Sequence, residues 1–141
     1  CYLLLRGINT LGVRMDRHCD NAEKVVEFLL SHSKVKEVLY PGLDTHPTFT
    51  IAEKQMERYG GMVSFTVNGG EDEARDIAQA TKIFTLAESL GAVESLIEIP
   101  AAMTHLSTEG SPLEVDKSLV RLSVGIETIT DLIGDLDQAM S

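Results

Sequence analysis

Residues 119–124, Leu-Val-Arg-Leu-Ser-Val, alternate in a way that decides how the surrounding chain folds. Side chains of a strand point to opposite faces in turn. One face then carries Val120, Leu122 and Val124, and the other carries Leu119, Arg121 and Ser123. An arginine on an otherwise apolar strand is costly to bury unless an anion meets it. A carboxylate matches its planar fork best. Two kinds of partner satisfy that requirement: one of the chain's own acids, or the acid group of a ligand.

Working outward, residues 84–127 hold most of the lone polar groups suited to chemistry, namely Glu88, Ser89, Ser95, Thr104, His105, Arg121 and Ser123. Leu86–Gly91 reads as the end of a strand followed by a Ser-Leu-Gly turn, which sets polar side chains and free backbone donors where ligands commonly sit.

The whole chain has 141 residues, 43% of them hydrophobic and 24% charged, which suits one compact domain with a core. Its formal charge is −10 and is unevenly spread. Residues 1–60 carry eight basic and eight acidic side chains, whereas residues 61–141 carry four basic and fourteen acidic ones. Nucleic acid and anionic membrane surfaces need clustered cations, so both are poor partners for this surface. Arg121 is one of the four cations of the acidic half. Cys1 and Cys19 form no disulfide framework and no C-x-x-C pair, which points to a reduced, cytoplasmic setting. No apolar run approaches the ~20 residues of a membrane span. The chain starts on Cys inside an apolar pattern, as a piece cut from something longer would.

Apolar residues at Leu4, Ile8, Leu11, Met15, Ala22, Val25 and Leu29 predict one long helix over 2–31. His18 falls on the same seam and reads as a packed or partner-bonded histidine. At 1.5 Å per residue the helix would run about 45 Å, longer than a small domain is wide, so it should lean on something besides this chain. Strands are expected at 35–40, 62–67, 83–87, 93–99 and 119–124, and helices at 48–57, 71–81 and from Thr128 onward, where Thr128 and Asp131 resemble a capping box. The fold class is therefore α/β (α+β): a small, mostly antiparallel sheet with helices on one face. Gly60-Gly61 and Gly69-Gly70 read as turns. The histidines lack metal-ligand spacing, and no nucleophile elbow, phosphate-cradling loop or dinucleotide fingerprint is present.

FTLAESLGAVESLIEIPAAMTH (84–105) followed by LVRLSVGIE (119–127) resembles the C-terminal domain of the Cys/Met-metabolism family of pyridoxal-phosphate enzymes. That group includes cystathionine γ-synthase, cystathionine γ-lyase, cystathionine β-lyase and methionine γ-lyase. LLRGINTLGVRMDRHCDNA (4–22), VLYPGL (38–43), His46-Pro47 and GGMVSF (60–65) extend the likeness along the chain. It implies the C-terminal domain of a fold-type I pyridoxal-phosphate enzyme, with an inter-domain helix at 1–32 and a substrate-binding domain at 33–141. It also implies roles by position. Arg121 would hold the substrate's α-carboxylate. Ser89 would lie beside both the cofactor-bearing lysine and that carboxylate. The backbone at Leu90 would help hold the carboxylate, Glu88 would face the distal substrate group, and Thr104 would border the pocket. Ala92 stands where the family often has a second glycine.

The family's Schiff-base lysine belongs to a large N-terminal cofactor domain, which is absent from these 141 residues. The resemblance thus implies pyridoxal phosphate in the intact enzyme, a sulfur amino acid as substrate, a homotetramer when intact, and an inactive isolated fragment. It leaves elimination and replacement equally open. The alternative is a non-catalytic α/β binding or regulatory module that reuses this domain.

Overall fold

A computed structural model describes residues 1–104, 110–112 and 114–141. The elements run α1 (Tyr2–Ile8), α2 (Leu11–Ser31), β1 (Val35–Leu39), α3 (Phe49–Gln55), β2 (Met62–Val67), α4 (Gly70–Ala80), β3 (Thr85–Leu86), β4 (Leu96–Glu98), α5 (Pro100–Met103), β5 (Leu119–Ser123) and α6 (Ile129–Ala139). The five strands form one sheet in the order β1-β2-β5-β4-β3. All neighbours are antiparallel except β3 and β4, which pair in parallel. The expected mixed fold with a mostly antiparallel sheet is what the chain adopts.

The alternation in 119–124 sorts the two faces as its pattern requires. Val120, Leu122 and Val124 are fully buried, together with Val63, Phe65 and Val67 of β2 and Ile97 of β4. They join Ala22, Val25, Val26 and Leu29 of α2, Ala74, Ile77 and Ala78 of α4, and Leu132 and Leu136 of α6 in one apolar cluster. The three helices thus cover one side of the sheet, and their burial supplies most of the driving force for folding. Residues directly opposite in the ladders share a face. The pairs Ser64↔Arg121, Glu98↔Arg121, Met62↔Ser123 and Leu96↔Ser123 therefore put Arg121 and Glu98 together on the side away from α2, α4 and α6.

Several local expectations need adjusting. The single helix over 2–31 is two helices, parted at Asn9-Thr10. Gly7, Asn9, Thr10 and Gly12 all have weak helix propensity. In addition, the Thr10 hydroxyl (3.2 Å) and Arg14 Nη2 (2.8 Å) both donate to the Gly7 carbonyl. The apolar seam also changes character along its length. His18, Ala22, Val25 and Leu29 are buried, while Leu4, Ile8, Leu11 and Met15 stay exposed. β3 and β4 are shorter than the runs that signalled them, and Pro100 opens α5 rather than merely closing a strand. Thr128 occupies the N-cap of α6, but the helix start is closed by backbone bonds to its carbonyl and not by its side chain.

Candidate functional site

Arg121 lies mid-strand in β5, so its backbone is held on both sides, by β2 and by β4. Its side chain retains about a fifth of its full exposure (21%), whereas that of Glu98, its neighbour across the ladder, keeps 1%. Arg121 Nη2 makes an ion pair with Glu98 Oε2. The same nitrogen points to the carbonyl of Ser89 at 3.4 Å, a long contact. The other carboxylate oxygen of Glu98 receives the Thr104 hydroxyl, from the residue that ends α5. Among the described residues, Arg121 Nε and Nη1 meet no hydrogen-bonding or ionic partner.

The strand that presents Arg121 also fixes the turn in front of it. The Ser123 hydroxyl accepts the Gly91 N–H at 2.8 Å. Ile126 N–H donates to the Val93 carbonyl at 2.9 Å. Glu127 accepts the Ser95 N–H at 2.6 Å and the Ser95 hydroxyl at 2.9 Å, and the Ser95 oxygen accepts the Gly125 N–H at 2.8 Å. Residues 89–95 are thereby tied to residues 121–127 at successive points. Gly91 has φ of +75°, a left-handed conformation that glycine takes without strain and that gives the Ser-Leu-Gly turn its shape. From behind, Asn21 of α2 donates to the Gly125 and Glu127 carbonyls, both at 2.9 Å, and His18 Nδ1 lies 2.6 Å from the Val124 carbonyl.

Of the residues singled out from sequence, Arg121, the backbone of Ser89 and, through Glu98, Thr104 come together. Glu88 and Leu90 flank Ser89 in the same exposed turn. Ser95 and Ser123 serve as anchors for that turn. His105 lies outside the described residues. Glu98 is missing from the residues that sequence reasoning picks out, although it is the group that answers the question of which anion meets Arg121. A signal for it exists: Leu96-Ile97-Glu98-Ile99-Pro100 is an apolar run with one charge, and the reasoning applied to Arg121 applies equally to it.

The chemistry of this cluster suits an incoming carboxylate, since a guanidinium with open N–H groups is an anion receptor. Covalent capture of an aldehyde cofactor needs an amine. Among the described residues no lysine hydrogen-bonds or ion-pairs with Arg121, Glu98 or Ser89, and Lys34 is engaged with Glu73 at 2.9 Å. Among the described residues, no group of three or more His, Cys, Asp or Glu is arranged to hold a metal ion, and no helix is long and apolar enough to cross a membrane. An open groove lined by Leu3, Arg6, Gly7, Thr10, Arg14 and Val93 joins the α1–α2 corner to the end of the site turn.

Comparison with known proteins shows what the chain as a whole is similar to. The family model for Cys/Met metabolism PLP-dependent enzymes matches residues 1–141. A cystathionine gamma-synthase from Mycobacterium tuberculosis is 58% identical over 139 residues, covering 99% of this chain and 36% of that protein. A cystathionine gamma-lyase from Dictyostelium discoideum is 51% identical over 143 residues, covering 99% and 37%. An L-methionine gamma-lyase from Fusobacterium nucleatum is 46% identical over 142 residues, covering 99% and 36%. The crystal structure of metB from Corynebacterium glutamicum superposes with a TM-score of 0.95 at 58% identity, over 99% of this chain and 36% of that one. The chain thus spans little more than a third of the length of these relatives.

Proposed function

Because this chain belongs to the Cys/Met-metabolism family of pyridoxal-phosphate-dependent enzymes, we propose that it forms the substrate-carboxylate-binding C-terminal part of a transsulfuration enzyme acting on sulfur amino acids. Residues 1–32 are the inter-domain helical segment on this reading, and 33–141 the substrate-binding domain. A cofactor domain supplies the remainder of the intact protein, a cytoplasmic homotetramer. The exposed apolar side chains of Tyr2, Leu3, Leu4, Leu5, Ile8 and Leu11, set all round α1 and at the start of α2, support that division, since so much exposed apolar surface marks a segment made to be covered.

The observation that carries the proposal is the state of Arg121. It is fixed at one nitrogen by Glu98 and retains open N–H groups beside the Ser89 turn. Pyridoxal phosphate, when bound in the intact enzyme, supplies the electron sink for elimination or replacement at the sulfur-bearing side chain. The residues of this chain bind and orient. Arg121 would take the substrate's α-carboxylate, the backbone at Leu90 would add a donor, and Ser89 would lie beside the cofactor-bearing lysine and that carboxylate. Glu88 faces the distal group and Thr104 borders the pocket. Binding the carboxylate rigidly limits which bonds at the α-carbon are aligned for reaction, which is where the rate advantage of orientation arises. Without the cofactor domain the 141 residues are inactive.

The test is Arg121→Ala in the intact enzyme. Loss of a charge-assisted partner costs about 2–5 kcal/mol, so KM should rise by about 30-fold or more. Arg121→Lys should fall between, since it retains charge but loses the fork. An unchanged KM in Arg121→Ala would remove Arg121 from the site.

A further inference from the structure

Arg121 is not a free receptor, because its partner Glu98 is among the most deeply buried polar groups of the domain at 1% exposure. A buried carboxylate is tolerated only when its oxygens are engaged. Here one accepts the Thr104 hydroxyl, and the other meets Arg121 Nη2 as an ion pair without a hydrogen bond. We propose that Glu98 is the positioning residue of the site: held by Thr104, it fixes the guanidinium through Nη2 so that its remaining N–H groups are presented ready-oriented to the substrate's carboxylate. The inference rests on the reading of Arg121 as carboxylate receptor and adds what sets the direction of that receptor.

Three features support it. Glu98 and Arg121 are direct partners in the β4–β5 ladder, so their separation is set by the sheet and not by a flexible loop. The pair engages a single guanidinium nitrogen, whereas a closed structural ion pair would use the bidentate fork. The nitrogen held by Glu98 is also the one that reaches the Ser89 carbonyl, so the sheet and the site turn converge on one point of the side chain. An arginine tethered in this way loses less freedom on binding, which is the ordinary route by which preorganisation raises affinity. The opposing effect is electrostatic, because the charge of Glu98 weakens the field that Arg121 offers an incoming anion. The two effects have opposite signs on removal of the charge, so experiment separates them.

The experiment uses the intact, pyridoxal-phosphate-loaded enzyme with Glu98→Gln, which preserves side-chain volume, and Thr104→Val, which loosens Glu98 without touching it. Two readouts are taken: the split between KM and kcat, and spectroscopic titration with a substrate amino acid and with its decarboxylated amine. Glu98→Gln should raise KM for the amino acid by about 10-fold, the scale of one charge-assisted contact, with kcat much less affected. Thr104→Val should act in the same direction and more weakly. Affinity for the decarboxylated amine should not change in Glu98→Gln, whereas general damage to the fold would weaken both ligands. In an Arg121→Ala background, Glu98→Gln should add no further loss of amino-acid affinity. If Arg121→Ala weakens binding but Glu98→Gln leaves it unchanged or tightens it, the positioning role is overturned and the carboxylate reading stands. If Arg121→Ala itself has no effect, both are overturned.

Discussion

Two polar clusters flank the same turn, and they differ in one respect. At Glu127 every group is engaged: its two oxygens take the N–H and the hydroxyl of Ser95, the Ser95 oxygen takes the Gly125 N–H, and Asn21 closes the cluster from α2. Asp135 of α6 is equally closed. It is 4% exposed and accepts the backbone N–H groups of Lys82, Ile83 and Phe84 at 2.8, 2.8 and 3.0 Å, just before β3. At Arg121 one nitrogen is held and the rest have no partner among the described residues. Saturated clusters hold the two ends of the segment 82–95, and the unsaturated one faces its middle. A buried polar group with all its bonds made contributes rigidity, and one with donors to spare has bonding capacity left for a ligand.

The sharpest way to break this contrast is to open a closed cluster. Asp135→Ala leaves three adjacent backbone donors without their acceptor and should destabilise the fold by about 3–5 kcal/mol in denaturant unfolding. A loss below about 1 kcal/mol would mean that water replaces the carboxylate and that the cluster is not closed. A smaller effect should follow from crowding the second closed cluster. A Cβ on Gly125 would collide with Glu127 Oε2 and the Val93 carbonyl and meet Ser95 N at 2.7 Å. Two of the three are backbone atoms that cannot swing aside. Gly125→Ala should therefore cost about 1–3 kcal/mol and displace residues 93–95, so that substrate affinity falls although Arg121 is untouched. Full affinity in a destabilised Gly125→Ala protein would show that the turn does not depend on this anchor.

The parts of the molecule legible in the sequence are those set by periodicity. The alternation in 119–124 assigns Val120, Leu122 and Val124 to the core and Arg121 to the other face, and the structure keeps that division. The apolar seam from Leu4 to Leu29 finds the helices but not the corner at Asn9-Thr10, because four weak helix formers act together there and each alone is tolerable. Nor does the seam distinguish which of its residues meet this domain's core: periodicity records an apolar stripe, not what covers it. His18 reads as a packed or partnered histidine, and it is both. Glu98 escapes because one acid among 22 looks unremarkable until its strand is known to be buried. The closed clusters at Glu127 and Asp135 join residues about 30 and 50 positions apart, and no local pattern encodes such a meeting.

Asp116, at the entry to β5, separates burial from bonding in this contrast. Its Oδ1 accepts the Ser118 N–H and the Ser118 hydroxyl, both at 2.8 Å, the same two donors from one serine that Glu127 takes from Ser95. Asp116 is exposed and Glu127 half-buried, whereas both serines are buried. The Ser118 N–H, then its hydroxyl, hold the Asp116 carboxyl below its ordinary value of 3.8; slight desolvation opposes them and Lys36 assists. A carboxylate with a depressed folded pKa stabilises above its unfolded pKa and loses that contribution as pH falls through the folded one. Because water competes for the same bonds, Asp116→Ala should cost less than about 1 kcal/mol at neutral pH. The difference between variant and parent should shrink below about pH 4 as the carboxylate takes up its proton. Unfolding curves for the two proteins across that range check both parts. A cost at neutral pH as large as that of opening the Asp135 cluster would show that the bonds themselves, and not their burial, separate the clusters that hold this fold from those that only trim it.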